Sequence, residues 1–405
     1  MSFASWFSFG VGRLELFFAT IFGFIGLMAL LYSIASIKGN KGRLGEYYIF
    51  LIILVGAGLG VVFAGDLLLM FVFWELATVA LWRLVSYFRN KESVEAGLWA
   101  LYINFAAAAV MLIGIVLIQI QEGGWTLKEL VGRQLPFFPA ILVLIGILAK
   151  SATLPLYIWL PRAYRQAPAP VCALLSGIAE NLGLVLFLKL FVLTVKVPES
   201  FFFISAILAV GSSLVAGGVA LTTKTIRETL AYSTVGQLGF ILLGFAVAGY
   251  YGVLGGFLYV LAHAVAKAGL FFTAGVVEDS RGTGELEKLG GFAQNSPALA
   301  GAAGVLALSI MGLPPTIGFF AKIGVVIGAV QKNILLGIGA LIAALFTMLY
   351  LSRLYARIFL GKSHQNSTFN RIPPLSIALV IIMAVVTIIL GIFWFLPVRF
   401  LGGEF

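Results

Sequence analysis

The chain has 405 residues, of which 61% are apolar and 10% charged, with a formal net charge of +10. A soluble domain carries roughly 25% charged residues, so this composition excludes a water-soluble globular protein and makes lipid the solvent. The positive balance reads as Lys and Arg in cytoplasmic loops, and nucleic acid is not expected as a partner.

Taken in chain order, the apolar runs cover 15–37, 45–64, 67–88, 100–119, 137–160, 168–195, 201–221, 230–249, 252–277, 297–330, 334–360 and 374–396. At roughly 20 apolar residues per crossing, they predict an all-α polytopic membrane protein of about twelve transmembrane helices. The first run has no basic segment ahead of it, so no cleavable signal peptide is expected. The run 297–330 is too long for one straight helix and contains Gly312, Pro314, Pro315 and Gly318. The run 137–160 is similar, with Pro155 and Pro161 after Lys150. Proline removes a backbone donor and clashes with the preceding turn. Such breaks persist in a membrane only where the freed backbone is buried in protein or lines a cavity. Both runs therefore predict broken helices of the kind that mark an ion path in transporters.

Counting basic residues in alternate loops sets the orientation. One side holds Lys38, Lys41, Arg43, Arg89, Lys91, Arg162, Arg165, Lys224, Arg227, Arg281, Lys288, Lys362 and Arg371. The other holds Arg13, Lys128, Arg133, Lys196, Lys332 and Arg399. The first side is expected to be cytoplasmic, which puts both termini outside the cell membrane. Cys172 is the single cysteine, and His263 and His364 are the two histidines. No disulfide framework, zinc, haem or iron–sulfur site built by this chain is expected, and Cys172 reads as a small buried hydrophobe.

A charged side chain at the bilayer centre costs roughly 2.5–3.5 kcal/mol on insertion scales. Several occur here. Glu75 lies in LLLMFVFWELATVALW, Lys150 in ILVLIGILAKSATLPL, Glu180 and Asn181 in ALLSGIAENLGLVLF, His263 and Lys267 in LYVLAHAVAKAGLFF, and Lys322 in GLPPTIGFFAKIGVV. The four-residue spacing of His263 and Lys267 puts them on one helix face. A lysine in a dry site whose charge a neighbouring carboxylate can set is able to take up and release a proton. Glu75 and Lys150 are the natural pair for this, and His263 can relay through its two nitrogens. The competing readings are structural. A Glu75–Lys150 pair could serve only to join two helices, His263 could be a satisfied core histidine, and Asn181 could bond between helices. Lys189 reads as snorkelling from near a helix end, and Arg353 and Arg357 as interfacial anchors.

Five motifs in this order resemble one family. FVFWEL carries Glu75, AKSATLPLYIWLPRAYRQAPAPVCALL carries Lys150, RETLAYSTVGQLGF carries Leu230–Ser233, HAVAKAGLFF carries His263 and Lys267, and GLPPTIGFFAK carries Lys322. Together they resemble the antiporter-like proton-translocating membrane subunits of respiratory complex I, of Mrp-type sodium/proton antiporters (their D subunits) and of membrane-bound hydrogenases.

The resemblance implies two inverted five-helix repeats, each with a broken helix. The first would span 45–200 with Glu75 and Lys150. The second would span 201–360 with His263, Lys267 and Lys322. A helix within 1–44 and a loop and last helix within 361–405 would flank them. It further implies an ion-translocating subunit, carrying H⁺ or Na⁺ or both, in a larger redox-driven complex of the complex I or hydrogenase type. Such a subunit binds no cofactor itself. Iron–sulfur clusters are expected in partner subunits, and further antiporter-like membrane subunits and lipid are expected as neighbours. Any oxidoreductase label would then belong to the whole complex. Membership of a stand-alone Mrp-type Na⁺/H⁺ antiporter is the first alternative, and a non-conducting structural role the second.

Three departures stand out. Members usually have about fourteen helices, with the buried glutamate later in the chain, so the resemblance implies that the first two helices are missing here. Where many members carry a lysine or histidine, this chain reads Ser176 to Asn181, so the relay either passes through Glu180 or is interrupted there. The family's WLPDA reads WLPRA, with Arg162 in place of the acid.

Overall fold

Long apolar runs have one way to satisfy their backbone within a single segment in lipid, the α-helix, and each run here adopts it. The computed structural model describes residues 8–39, 41–361 and 372–402. His364, Lys362 and Arg371 lie outside the described residues. The helices are α1 (Arg13–Ser36), α2 (Lys41–Phe63), α3 (Leu67–Val85), α4 (Lys91–Glu122), α5 (Phe137–Lys150), α6 (Trp159–Gln166) and α7 (Ala169–Val192). They continue with α8 (Glu199–Ala220), α9 (Ile226–Ala246), α10 (Tyr250–Arg281), α11 (Pro297–Met311) and α12 (Ile317–Lys332). The last are α13 (Ile334–Phe359), α14 (Pro374–Ile392) and the short α15 (Phe395–Leu401).

Ten of these are long and apolar enough to cross a membrane. The two shorter apolar helices, α5 and α11, are the first halves of broken helices continued by α6 and α12. This gives the expected architecture of about twelve crossings, all helical.

Local chemistry fixes the helix ends. Asp66 caps α3 by accepting from the Leu69 N–H at 2.7 Å, and Asn90 caps α4 by accepting from Ser93 at 2.8 Å. Such side chains satisfy donors that the first helical turn leaves free. Gly123 and Gly282, both left-handed, close α4 and α10.

The first break occupies residues 151–158, with Ala152 left-handed at φ 44°. Its freed groups find partners in protein. The Leu154 N–H donates to the Ser212 hydroxyl of α8 at 2.7 Å, and the Trp159 indole donates to the Ala149 carbonyl at 2.9 Å. Pro161 does not share in this break, because it lies in the first turn of α6, where the helix needs no amide donor from it. The second break occupies residues 312–316, with Gly312 at φ 82°. There Gly318 comes so close to the Ser309 carbonyl that a Cβ would lie 1.8 Å from it. Only glycine admits that approach.

Burial is uneven. The apolar stretches of α7 and α10 are wholly buried and that of α9 nearly so, while most other helices present about half of theirs to the outside. These three form the centre of the bundle. α10 packs on α12 through facing glycines, with Gly252 and Gly255 opposite Gly324 and Gly328, since small residues let backbones approach in lipid. α1 lies against both α7 and α10, and Tyr32 donates to the Phe272 carbonyl of α10 at 3.0 Å.

Loops at the two ends of the bundle are tied among themselves. At one end, short backbone bridges join Phe9 to Ala64, Asp66 to Thr126, and Gln134 to Lys196. At the other, Thr225 bridges to Glu285, Arg227 pairs with Glu278 at 2.7 Å, Arg165 with Glu228, and Arg83 and Arg89 both with Glu46. Arg353 donates to the carbonyls of Leu221 and Thr223 at 2.7 and 3.0 Å, closing the end of α8.

One expectation is overturned. Lys189 does not snorkel to an interface. It is buried, pairs with Glu15 of α1 at 3.1 Å, and donates to the carbonyls of Val62 and Ala64 at 2.7 and 3.2 Å. An acid from another helix and two carbonyls at the end of α2 supply in place what the aqueous interface would have supplied.

Candidate functional site

The first group of ionisable side chains lies between α3 and α5. Lys150 is the last residue of α5, so the break begins directly after it. Its ammonium donates to the Thr78 hydroxyl at 2.5 Å and to the Trp74 carbonyl at 3.4 Å, and lies 5.0 Å from the centre of the Trp74 ring. All three contacts come from α3. Glu75 stands on the same helix, within one turn of Thr78. Its two carboxylate oxygens are shielded and accept no hydrogen bond. The expected pair is therefore not closed. Glu75 acts on Lys150 through its field, while Thr78 takes the hydrogen bond.

The second group sits on α7. This helix does not run regularly, because Leu175–Ala179 and Leu188–Val192 form π turns. Such bulges concentrate at functional sites. Glu180 follows the first of them and is fully buried. One of its carboxylate oxygens accepts the Tyr164 hydroxyl at 2.7 Å, and the other has no partner. Asn181 turns back onto its own helix, donating to the Ser176 and Gly177 carbonyls at 2.9 and 3.1 Å. It makes no bond between helices among the described residues.

The third group is on α10. Lys267 is fully buried and donates to the Leu230 carbonyl of α9 at 3.0 Å. It lies in the fields of Glu180 and Lys322. His263, one turn away, is fully buried with no hydrogen bond at either ring nitrogen. A satisfied core histidine would have used at least one of them.

Lys322, on α12 after the second break, ends the series. Its ammonium has no hydrogen-bond partner. It lies 5.2 Å from the ring centre of Phe240 and 5.6 Å from that of Tyr259, an arrangement in which the ring faces attract the cation.

Sequence reading did not single out the uncharged network beside Lys322. The Tyr259 hydroxyl donates to the Gln237 carbonyl oxygen and approaches the Ile310 carbonyl at 3.3 Å. The Gln237 amide donates to Thr347 at 3.1 Å and to Tyr350 at 2.7 Å, and Tyr350 shares a 2.9 Å hydrogen bond with Ser233. This chain of groups runs from the ring over Lys322 to within one helical turn of Leu230, where Lys267 is held. Tyr164 was also missed as a partner of Glu180. The available signal was its place in the broken-helix motif. For Gln237 the signal was a primary amide inside an apolar helix.

Among the described residues, no group of three or more His, Cys, Asp or Glu gathers at metal-binding distance. The buried members are side chains that can bind and release protons, and they include both charge signs.

Fold and buried series together define a class, the antiporter-like polytopic membrane subunits. Residues 64–347 match the family described as NADH:quinone oxidoreductase/Mrp antiporter, TM, and the chain belongs to that family. It is 32% identical over 352 residues to NADH-quinone oxidoreductase subunit N of Desulforudis audaxviator, covering 83% of this chain and 70% of that one. It is 30% identical over 421 residues to the A subunit of a Na(+)/H(+) antiporter of Alkalihalophilus pseudofirmus, covering 96% of this chain and 52% of that one. The chain thus spans about half the length of that antiporter relative. Its fold matches a chain of the Mrp complex from Dietzia sp. DQ12-45-1b with a TM-score of 0.89 at 22% identity, covering 98% of this chain and 83% of that chain. It matches a chain of respiratory complex I from Thermus thermophilus with a TM-score of 0.86 at 22% identity, covering 98% and 84%.

Proposed function

We propose that this chain translocates protons, or exchanges protons for sodium, as one antiporter-like subunit of a redox-driven complex of the complex I or hydrogenase type. The observation that carries the reading is the buried series Lys150, Glu180, Lys267, His263 and Lys322, with a helix break beside the first lysine and another before the last. In this reading Glu75 sets the charge of Lys150 by approaching or leaving it. The proton then passes by way of Glu180 to Lys267 and His263, and leaves through Lys322. The departure at Ser176 to Asn181 supports passage rather than interruption, because the residue there is a carboxylate in the field of Lys267. For the same reason the non-conducting reading loses its main support.

The two half-channels would correspond to 45–200 and 201–360, so that α5–α6 and α11–α12 occupy equivalent positions. The excess of basic loop residues would put the Arg165, Arg227 and Arg281 end in the cytoplasm and both termini outside. Iron–sulfur clusters would reside in partner subunits.

The test is Lys150→Ala in the reconstituted complex, where ion pumping is expected to fall on the order of a hundredfold while electron transfer by the partner subunits is retained. Unchanged pumping overturns the role. The likeness to Mrp subunits, over almost the whole chain, supports a second reading as part of a stand-alone antiporter. Co-purification in mild detergent separates the two. Iron–sulfur partners support the first, and small membrane subunits alone support the second.

A further inference from the structure

Arg162, the residue that departs from the resembled WLPDA pattern, has no part in the buried series. It sits at the start of α6, and its guanidinium stacks 4.3 Å from the centre of the Trp99 ring of α4. α4 is 32 residues long, about 48 Å at the helical rise, against a hydrocarbon core of roughly 30 Å. Its first turns therefore extend into the headgroup layer. There Glu92, Glu95 and Trp99 of α4 and Arg162, Arg165 and Gln166 of α6 line an open cavity of about 350 Å³. A second cavity of about 450 Å³ shares Glu95 and Trp99 with the first and continues along α4 past Leu98, Tyr102 and Ile103 to Ala106. The second is almost purely apolar at its wall, and Tyr102 is 63% exposed along it.

The charges of the upper cavity are left open. Arg165 is engaged by Glu228. Among the described residues, Arg162 has no carboxylate partner, and Glu92 and Glu95 have no basic one. Opposite charges thus face one space without closing on each other. A molecule bearing both an anion and a cation completes such a space. A phosphate matches the planar fork of Arg162, and an ammonium matches the two glutamates. The apolar groove beneath, flanked by Trp99 and Tyr102 at interface depth, suits an acyl chain.

We propose that this junction of α4 and α6 seats one phospholipid with a primary-amine headgroup, phosphoethanolamine in chemical class. A choline headgroup has no N–H to donate to Glu92 or Glu95, and the Trp99 face that could attract it is already covered by Arg162. A purely anionic headgroup meets the two glutamates as like charges.

The test is native mass spectrometry of the full chain, offered phosphatidylethanolamine, phosphatidylcholine or phosphatidylglycerol. One phosphatidylethanolamine should be retained with at least about a tenfold preference over phosphatidylcholine. Arg162→Ala should lose it, and Glu92→Gln with Glu95→Gln should erase the preference over phosphatidylglycerol. Ala106→Trp, which fills the groove and leaves every charge in place, should also lose the lipid. Equal retention of the three lipids overturns the proposal, as does an unchanged adduct in Arg162→Ala or Ala106→Trp. So does a cross-link from Tyr102 to a partner protein in an intact assembly that holds no such lipid.

Discussion

Lys150 and Lys322 each stand beside the break of a broken helix, and each is buried, yet they are held in opposite ways. Lys150 precedes its break, donates to Thr78 at 2.5 Å, and has a carboxylate one turn away on the helix it contacts. Lys322 follows its break, makes no hydrogen bond, and rests against two aromatic faces. The first lysine has a local means of fixing its charge. The second has no hydrogen-bond partner among the described residues, and its own charge bears on Lys267 of α10. On the proposed function the two lysines would serve as different ends of one path, the first set by its own acid and the second coupled to Lys267 of the central helix. The backbone differs as well. The turn after the first half-helix uses an alanine in left-handed geometry, whereas the second uses a glycine.

Removing each lysine in turn should have the largest effect. Lys150→Ala and Lys322→Ala should each lower ion translocation in proteoliposomes on the order of a hundredfold. Glu75→Gln should impair the wild type and add little to Lys150→Ala, while its loss should combine with Lys322→Ala no differently from the loss of Lys150. If Glu75→Gln adds fully to Lys150→Ala, the acid does not act through that lysine.

Next in size is Gly312→Ala. A Cβ there would lie 2.7 Å from the Lys322 Cδ, on a backbone at φ 82°. It should cost about 1–3 kcal/mol of stability and displace the lysine, read as a lowered melting temperature together with slower translocation. The matching change in the first half, Ala152→Gly, should alter stability little. Relief of left-handed strain, roughly 1–2 kcal/mol, is offset by the entropy glycine adds to the unfolded chain, about 0.4–1 kcal/mol, and by the lost burial of the methyl, about 0.8 kcal/mol. A nearly unchanged melting temperature is expected.

Thr78→Val removes the hydroxyl that holds Lys150. A hydrogen bond to a charged group is worth about 1.5–3 kcal/mol. The lysine can turn partly toward Glu75, so the loss should fall at the low end of that range and disappear in a Lys150→Met background. An equal loss in that background would show that Thr78 acts through packing alone.

The smallest effect concerns a loop of the first half. Glu129 accepts the N–H groups of Thr126 and Trp125, both at 3.1 Å. The Thr126 backbone bond, then its hydroxyl, hold the carboxyl below its usual range. Its contribution is present above the ordinary carboxylate range and lost as pH falls through the lowered value. Glu129→Gln should melt slightly lower than wild type near neutrality, and the gap should close below about pH 4. A gap unchanged with pH would exclude the carboxylate as its cause.

The fold and the charged members of the candidate site are legible in the sequence because a charge or a proline in an apolar run is costly and so stands out. What surrounds those members is not. Thr78 and Glu75 are three residues apart on one helix face, and sequence gives no ranking of their reach toward Lys150. Lys189 stands near the end of an apolar run, and its partner Glu15 belongs to a helix near the start of the chain. Gln237, Tyr259 and Tyr350 come from three helices, and only the amide of Gln237 stands out in its own run. Their meaning arises only where the helices meet.

The π turns of α7 bear on how this chain aligns with others. Each accommodates one residue beyond what the same helical height needs in regular geometry, so the helix can gain or lose a residue without rotating its remainder by the usual 100°. A gap in an alignment across residues 175–192 therefore belongs inside the helix, in a π turn. A scheme that confines gaps to loops would shift Glu180 by one position and match it to the wrong residue of any relative whose helix is regular there.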